Sequence, residues 1–99
     1  MIYRAEHKKG YTVIDNAVIF NDELSPSARF LLVFCLSKPN DWNFSVRGLS
    51  EELGLSKNTV AKLANELEAA GHLKRIRTRY KQGKQFARGW WDIYESPKN

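Results

Sequence analysis

The sequence predicts a small α+β domain: a short N-terminal extended arm or hairpin, then three helices, then a basic two-stranded hairpin. Three observations predict it. Serines stand at three helix starts, Ser25, Ser45 and Ser56, with Pro26 behind the first, and glycines follow the last two helices at Gly54 and Gly71. Residues 57–70 repeat apolar side chains with helical period. Residues 74–80 alternate apolar and basic side chains with the period of a strand.

Length and charge limit what such a chain can be. Its 99 residues make one domain, taken as residues 11–97 behind a polar, flexible leader of residues 1–10. Hydrophobic residues are 42 % of the chain, which supports a packed core and excludes wholesale disorder. Formal net charge is +5, which favours an acidic partner. The charge is unevenly placed. Residues 72–99 carry eight basic groups against two acids, whereas residues 1–71 carry eight against nine. No signal peptide and no apolar run of membrane-spanning length is present, so a cytoplasmic location is expected. Cys35 is the only cysteine; it lies in an apolar helix and is expected to be a packing residue.

In chain order, residues 11–14 and 18–20 are β-prone runs around Asp15-Asn16, compatible with a hairpin or with an arm lying across the helices. Ser25-Pro26 opens the first long helix, expected to run to about Ser37. Phe30, Leu31, Phe34 and Cys35, with Leu24, are assigned to its inner surface, and Leu32, Val33 and Leu36 widen it. Trp42 and Phe44 are either a short strand pairing with the later hairpin or a hydrophobic plug. Ser45 caps the next helix, residues 46–53, with Val46, Leu49 and Leu53 inward and Arg47, Glu51 and Glu52 outward. Gly48 within it suggests a close helix–helix approach. After the tight turn at Gly54-Leu55, Ser56 caps the helix of residues 57–70, whose Val60, Leu63, Ala64, Leu67 and Ala70 face a core.

The opposite side of that last helix presents Asn58, Lys62, Asn65 and Ala69, with amide and ammonium groups and no acid. Such a face can donate to base edges and meet phosphates. Beyond Gly71, the strand of residues 74–80 places Ile76, Thr78 and Tyr80 on one face and Arg75, Arg77 and Arg79 on the other. Lys81 and Lys84 flank the turn, and residues 86–94 return as the second strand. Three arginines two residues apart repel one another unless a polyanion neutralises them. A solvated edge strand kept charged against aggregation is the structural alternative. Two helices joined by a tight turn and followed by a basic hairpin are the winged helix-turn-helix order, in which the second helix enters the major groove.

His7 and His72 are both read as surface residues, since neither has a second ligand at metal spacing. No paired carboxylates, phosphate loop or nucleophile–base set is present, so neither an enzyme nor a cofactor is expected.

The stretches YTVIDNAVIFNDELSPSARFLLVFCLSKPNDWNFSVRGLSEELG, VAKLANELEAAGHLKRIRTR and WWDIYESP also carry a resemblance. Together they resemble the N-terminal winged-helix domains of phage and mobile-element replication initiators (replisome organisers) and related helix-turn-helix proteins of low-GC Gram-positive bacteria. The resemblance implies recognition-helix contacts from Ser56, Lys57, Asn58, Thr59 and Lys62, and wing contacts from Arg75, Arg77, Arg79 and Lys84. It also implies double-stranded DNA as partner, and further domains or replication proteins outside this chain. His72 stands where an aromatic is usual, and Arg29-Phe30 where a smaller pair is common. A domain serving protein interaction or homodimerisation through its apolar first helix, without DNA contact, is the alternative reading.

Overall fold

The computed structural model describes residues 1–4, 6, 10–76 and 90–98. Four helices precede an antiparallel pair of strands: α1 (Asn16–Ile19), α2 (Pro26–Leu36), α3 (Val46–Leu53), α4 (Lys57–Ala69), β1 (Leu73–Ile76) and β2 (Trp90–Ile93). The α+β order predicted from the sequence is therefore the observed one.

The arm is the first departure. Residues 11–15 are irregular, and the second β-prone run begins in a one-turn helix, not a strand. Asp15 is the cause: its side chain accepts from the Ala17 amide at 2.8 Å and caps that turn. Val18 thereby enters the core, while Ile19 and Phe20 stay exposed.

The three long helices are capped as their serines predict. Ser25, Ser45 and Ser56 accept from the amides of Ala28, Gly48 and Thr59. Ser25 also ties α2 to α4, because its amide and hydroxyl both donate to the Glu66 carboxylate. Gly54 ends α3 at φ 69°, in the left-handed region open to glycine, and makes the tight turn. Gly48 plays a different part from the one expected. A Cβ there would meet Ser45 Oγ at 3.0 Å, so the residue clears its own helix cap instead of admitting a neighbouring helix.

Ala28, Leu31, Leu32 and Cys35 form the buried stripe of α2, spaced as one helical face. Phe30, assigned to this surface from the sequence, is 59 % exposed, because the stripe centres on Ala28 and Leu32 and helical spacing turns position 30 to the opposite side of α2. The stripe packs with Leu49 of α3 and with Val60, Leu63, Ala64 and Leu67 of α4. Phe44 is buried beside them and stacks on Trp91 at 6.4 Å between ring centroids. Residues 42–44 are thus a plug and not a strand. Of the two adjacent tryptophans, Trp91 is inside and Trp90 is 40 % exposed.

The corner between α4 and β1 corrects a further expectation. His72 is 1 % exposed, not a surface residue. Gly71 adopts φ 86°, its amide donates to Glu68 O, and the His72 amide donates to Leu67 O at 2.9 Å. These two bonds are the Schellman arrangement, which carries the residue after the glycine back onto the last turn of the helix. His72 is held there by Nδ1 against Tyr94 O at 2.8 Å, while its Nε2 is buried without a partner.

Candidate functional site

Every α4 residue singled out from the sequence, Ser56 at its cap included, is exposed. Lys57, Asn58, Thr59, Lys62, Asn65 and Ala69 lie along the outer side, opposite buried Val60, Leu63, Ala64 and Leu67. Ser56 and Thr59 are engaged with each other: Ser56 Oγ donates to Thr59 Oγ1 at 2.9 Å and accepts from the Thr59 amide at 3.1 Å. Their first task is to start the helix. Lys57, Asn58 and Lys62 project from it with amide and ammonium groups.

β1 begins at Leu73 and pairs with β2 in the register Leu73↔Ile93, Lys74↔Asp92, Arg75↔Trp91 and Ile76↔Trp90. Strand alternation then puts Arg75 on the same sheet face as buried Leu73 and Trp91, turned toward α4. The guanidinium is held there. Arg75 Nη2 donates to Glu68 Oε1 at 2.7 Å and to Asn65 Oδ1, and the Arg75 amide donates to Glu68 Oε2 at 3.3 Å. It also lies 5.9 Å from the centre of the Trp91 ring. This pairing holds the Glu68 carboxyl below its ordinary value. Two residues expected as separate contacts, Asn65 and Arg75, are thus joined in one network that ties the strand to the helix.

Sequence reasoning missed Glu68 and Trp91 as the groups that position Arg75. The signal was present for Glu68, which lies one turn beyond Asn65 and across the Gly71 corner from the strand. Lys74 is exposed on the opposite sheet face. Arg77, Arg79, Lys81 and Lys84 lie outside the described residues, as do the far parts of the two expected strands. Among the described residues no group of three or more His, Cys, Asp or Glu side chains could hold a metal ion, and no helix is long and apolar enough to cross a membrane.

A capped helix pair around a glycine turn, an exposed polar second helix and an adjoining antiparallel strand pair define a helix-turn-helix module, a fold associated with nucleic-acid or protein interaction. The chain belongs to the helix-turn-helix domain family, whose model matches residues 22–73. That span runs from the approach to α2 through the first residue of β1. Neither a curated protein nor a solved structure matches the chain.

Proposed function

We propose that this domain binds double-stranded DNA, with α4 in the major groove and the basic hairpin on the backbone or in the minor groove, as part of a replication initiator or a transcription regulator. The observation that carries the reading is the exposed side of α4 over residues 57–65, which precedes the acids Glu66 and Glu68 and carries none itself. Lys57, Asn58 and Lys62 offer donors to base edges and phosphates, and no carboxylate stands among them. The +6 net charge of residues 72–99 adds a long-range attraction to a polyanion. The resemblance to replication initiators favours the first of the two processes.

Lys62 and Arg77 make separable contributions in this arrangement. Lys62, two turns into α4, reaches base edges, where one specific contact is worth about 1–3 kcal/mol of discrimination. Arg77, in the hairpin, meets phosphate. In a salt titration, Lys62→Ala narrows the gap between a duplex selected from a random library and a scrambled one. Arg77→Ala weakens both and makes the slope of log K against log salt shallower by about one unit. A melting curve unchanged in both variants, together with unchanged binding in both, would move the DNA off this face and favour a protein-interaction module.

A further inference from the structure

We propose a second binding site, a nucleobase-binding cleft between the α2–α3 loop and β2. It has a volume of about 400 Å³ and is walled by Trp42, Trp90, Phe44, Trp91, Asn40 and Asp92. That volume falls within the range of small-ligand pockets. Three features of the cleft select a planar, amino-bearing ring.

The first is its aromatic character. Trp91 and Phe44 stack on each other in the core and form the inner wall, whereas Trp42 and Trp90 are 41 % and 40 % exposed. Two large indoles left half open at the mouth of one cleft offer stacking surfaces that the fold itself does not consume. The second is that Trp42 is held in place. Lys38 Nζ lies 4.6 Å from the centre of its ring and 4.9 Å from that of Phe34, and is anchored to Glu52 at 3.0 Å. One face of Trp42 is thus covered by a fixed cation, and little side-chain freedom remains to be lost when a ring stacks on the other.

The third feature is polar. Asp92 is an acceptor-only carboxylate on the wall, one oxygen of which, Oδ2, accepts from the Tyr94 hydroxyl at 3.5 Å, and Asn40 brings both a donor and an acceptor. A carboxylate repels phosphate, so the cleft takes the base and leaves the backbone outside. It accepts from the exocyclic amines of cytosine and adenine and finds no such donor on thymine. The site is built from α2, the loop after it and β2, and uses no residue of the exposed side of α4. It does not depend on duplex binding.

The test is a fluorescence and competition titration of the whole chain with oligo-dC, oligo-dA and oligo-dT single strands, an abasic strand of equal length, and dCMP. The expected result is binding of oligo-dC and oligo-dA ahead of oligo-dT, with the abasic strand weakest. Trp42→Ala weakens oligo-dC binding roughly tenfold to a hundredfold, the range set by one lost base stack. Trp42→Phe restores part of it, and Asp92→Asn removes the preference over oligo-dT. Competition by dCMP as effective as by the strand assigns the cleft to a free nucleotide, and competition by the strand alone assigns it to single-stranded nucleic acid; either supports a base site. Trp42 is half exposed, so its variants keep the fold, and a melting curve checks this. Equal binding of the abasic strand would overturn the proposal, since charge alone would then suffice. So would unaltered oligo-dC binding in Trp42→Ala, or displacement of oligo-dC by an uncharged apolar peptide and not by dCMP.

Discussion

Cys35 shows how a single buried residue connects packing to solution behaviour. It closes the α2 stripe at 3 % exposure, and burial, reinforced by the Glu52 charge, pushes its thiol up to about 12 from an ordinary 9.0. A raised value on an acidic group means that the fold favours the neutral thiol. The native state then holds a proton that the unfolded chain releases above pH 9, so stability is fully present below that pH and is lost progressively up to about pH 12. A Cys35→Ala or Cys35→Val variant should flatten this alkaline decline in a denaturant titration. The wild-type thiol should resist a disulfide reagent at pH 8 and react once the chain is unfolded. A thiol that reacts at once in the native state would contradict its burial. His72 offers the opposite lesson. The lack of a second ligand at metal spacing does not make a histidine after a helix-ending glycine a surface group, because the backbone geometry that the glycine imposes governs where the side chain goes.

At the scale of elements, the link between α4 and β1 decides how the basic strand can act. Arg75 is already compensated by Glu68, so its charge is only partly available to a phosphate. If DNA lies along α4, Glu68 competes with it for the same guanidinium. Glu68→Gln should therefore raise duplex affinity severalfold and steepen the salt dependence by about one unit. Both side chains are half-buried and Gln keeps an oxygen to accept from Arg75, so the melting temperature should fall only modestly. Loss of affinity in this variant would show instead that the ion pair is needed to hold the strand in its binding position. Acid has a related effect. Because Glu68 titrates below its ordinary value, its stabilising contribution is present above the unfolded carboxylate range and disappears as pH falls through the folded value.

For the molecule as a whole, the three long helices were legible, whereas the one-turn α1 and the connections between distant segments were not. Caps and glycines act within a few residues, so Ser25, Ser45, Ser56, Gly54 and Gly71 marked the helix limits to within a residue or so. The period of α4 also gave its outer side correctly, because Val60, Leu63, Ala64 and Leu67 all found partners in the core. Phe30 was misplaced because α2 is apolar nearly all round, and its period alone does not locate the buried arc. The Phe44–Trp91 stack and the cleft beside it join residues brought near only by the chain's path, and no local pattern announces them. One such junction has a dynamic consequence. At the corner after α4, the His72 amide bonds back to Leu67 O, its carbonyl receives the Tyr94 amide at 2.8 Å, and Gly71 O receives the Lys98 amide at 2.7 Å. A helix end, the root of a strand and the tail share these adjoining peptide groups. Neither the helix end nor the strand root can breathe alone without exposing the other, so the amide hydrogens of His72 and Tyr94 should exchange with deuterated water at a common free energy, as one cooperative unit. Lys98, on the exposed tail, marks its frayed limit and should exchange first.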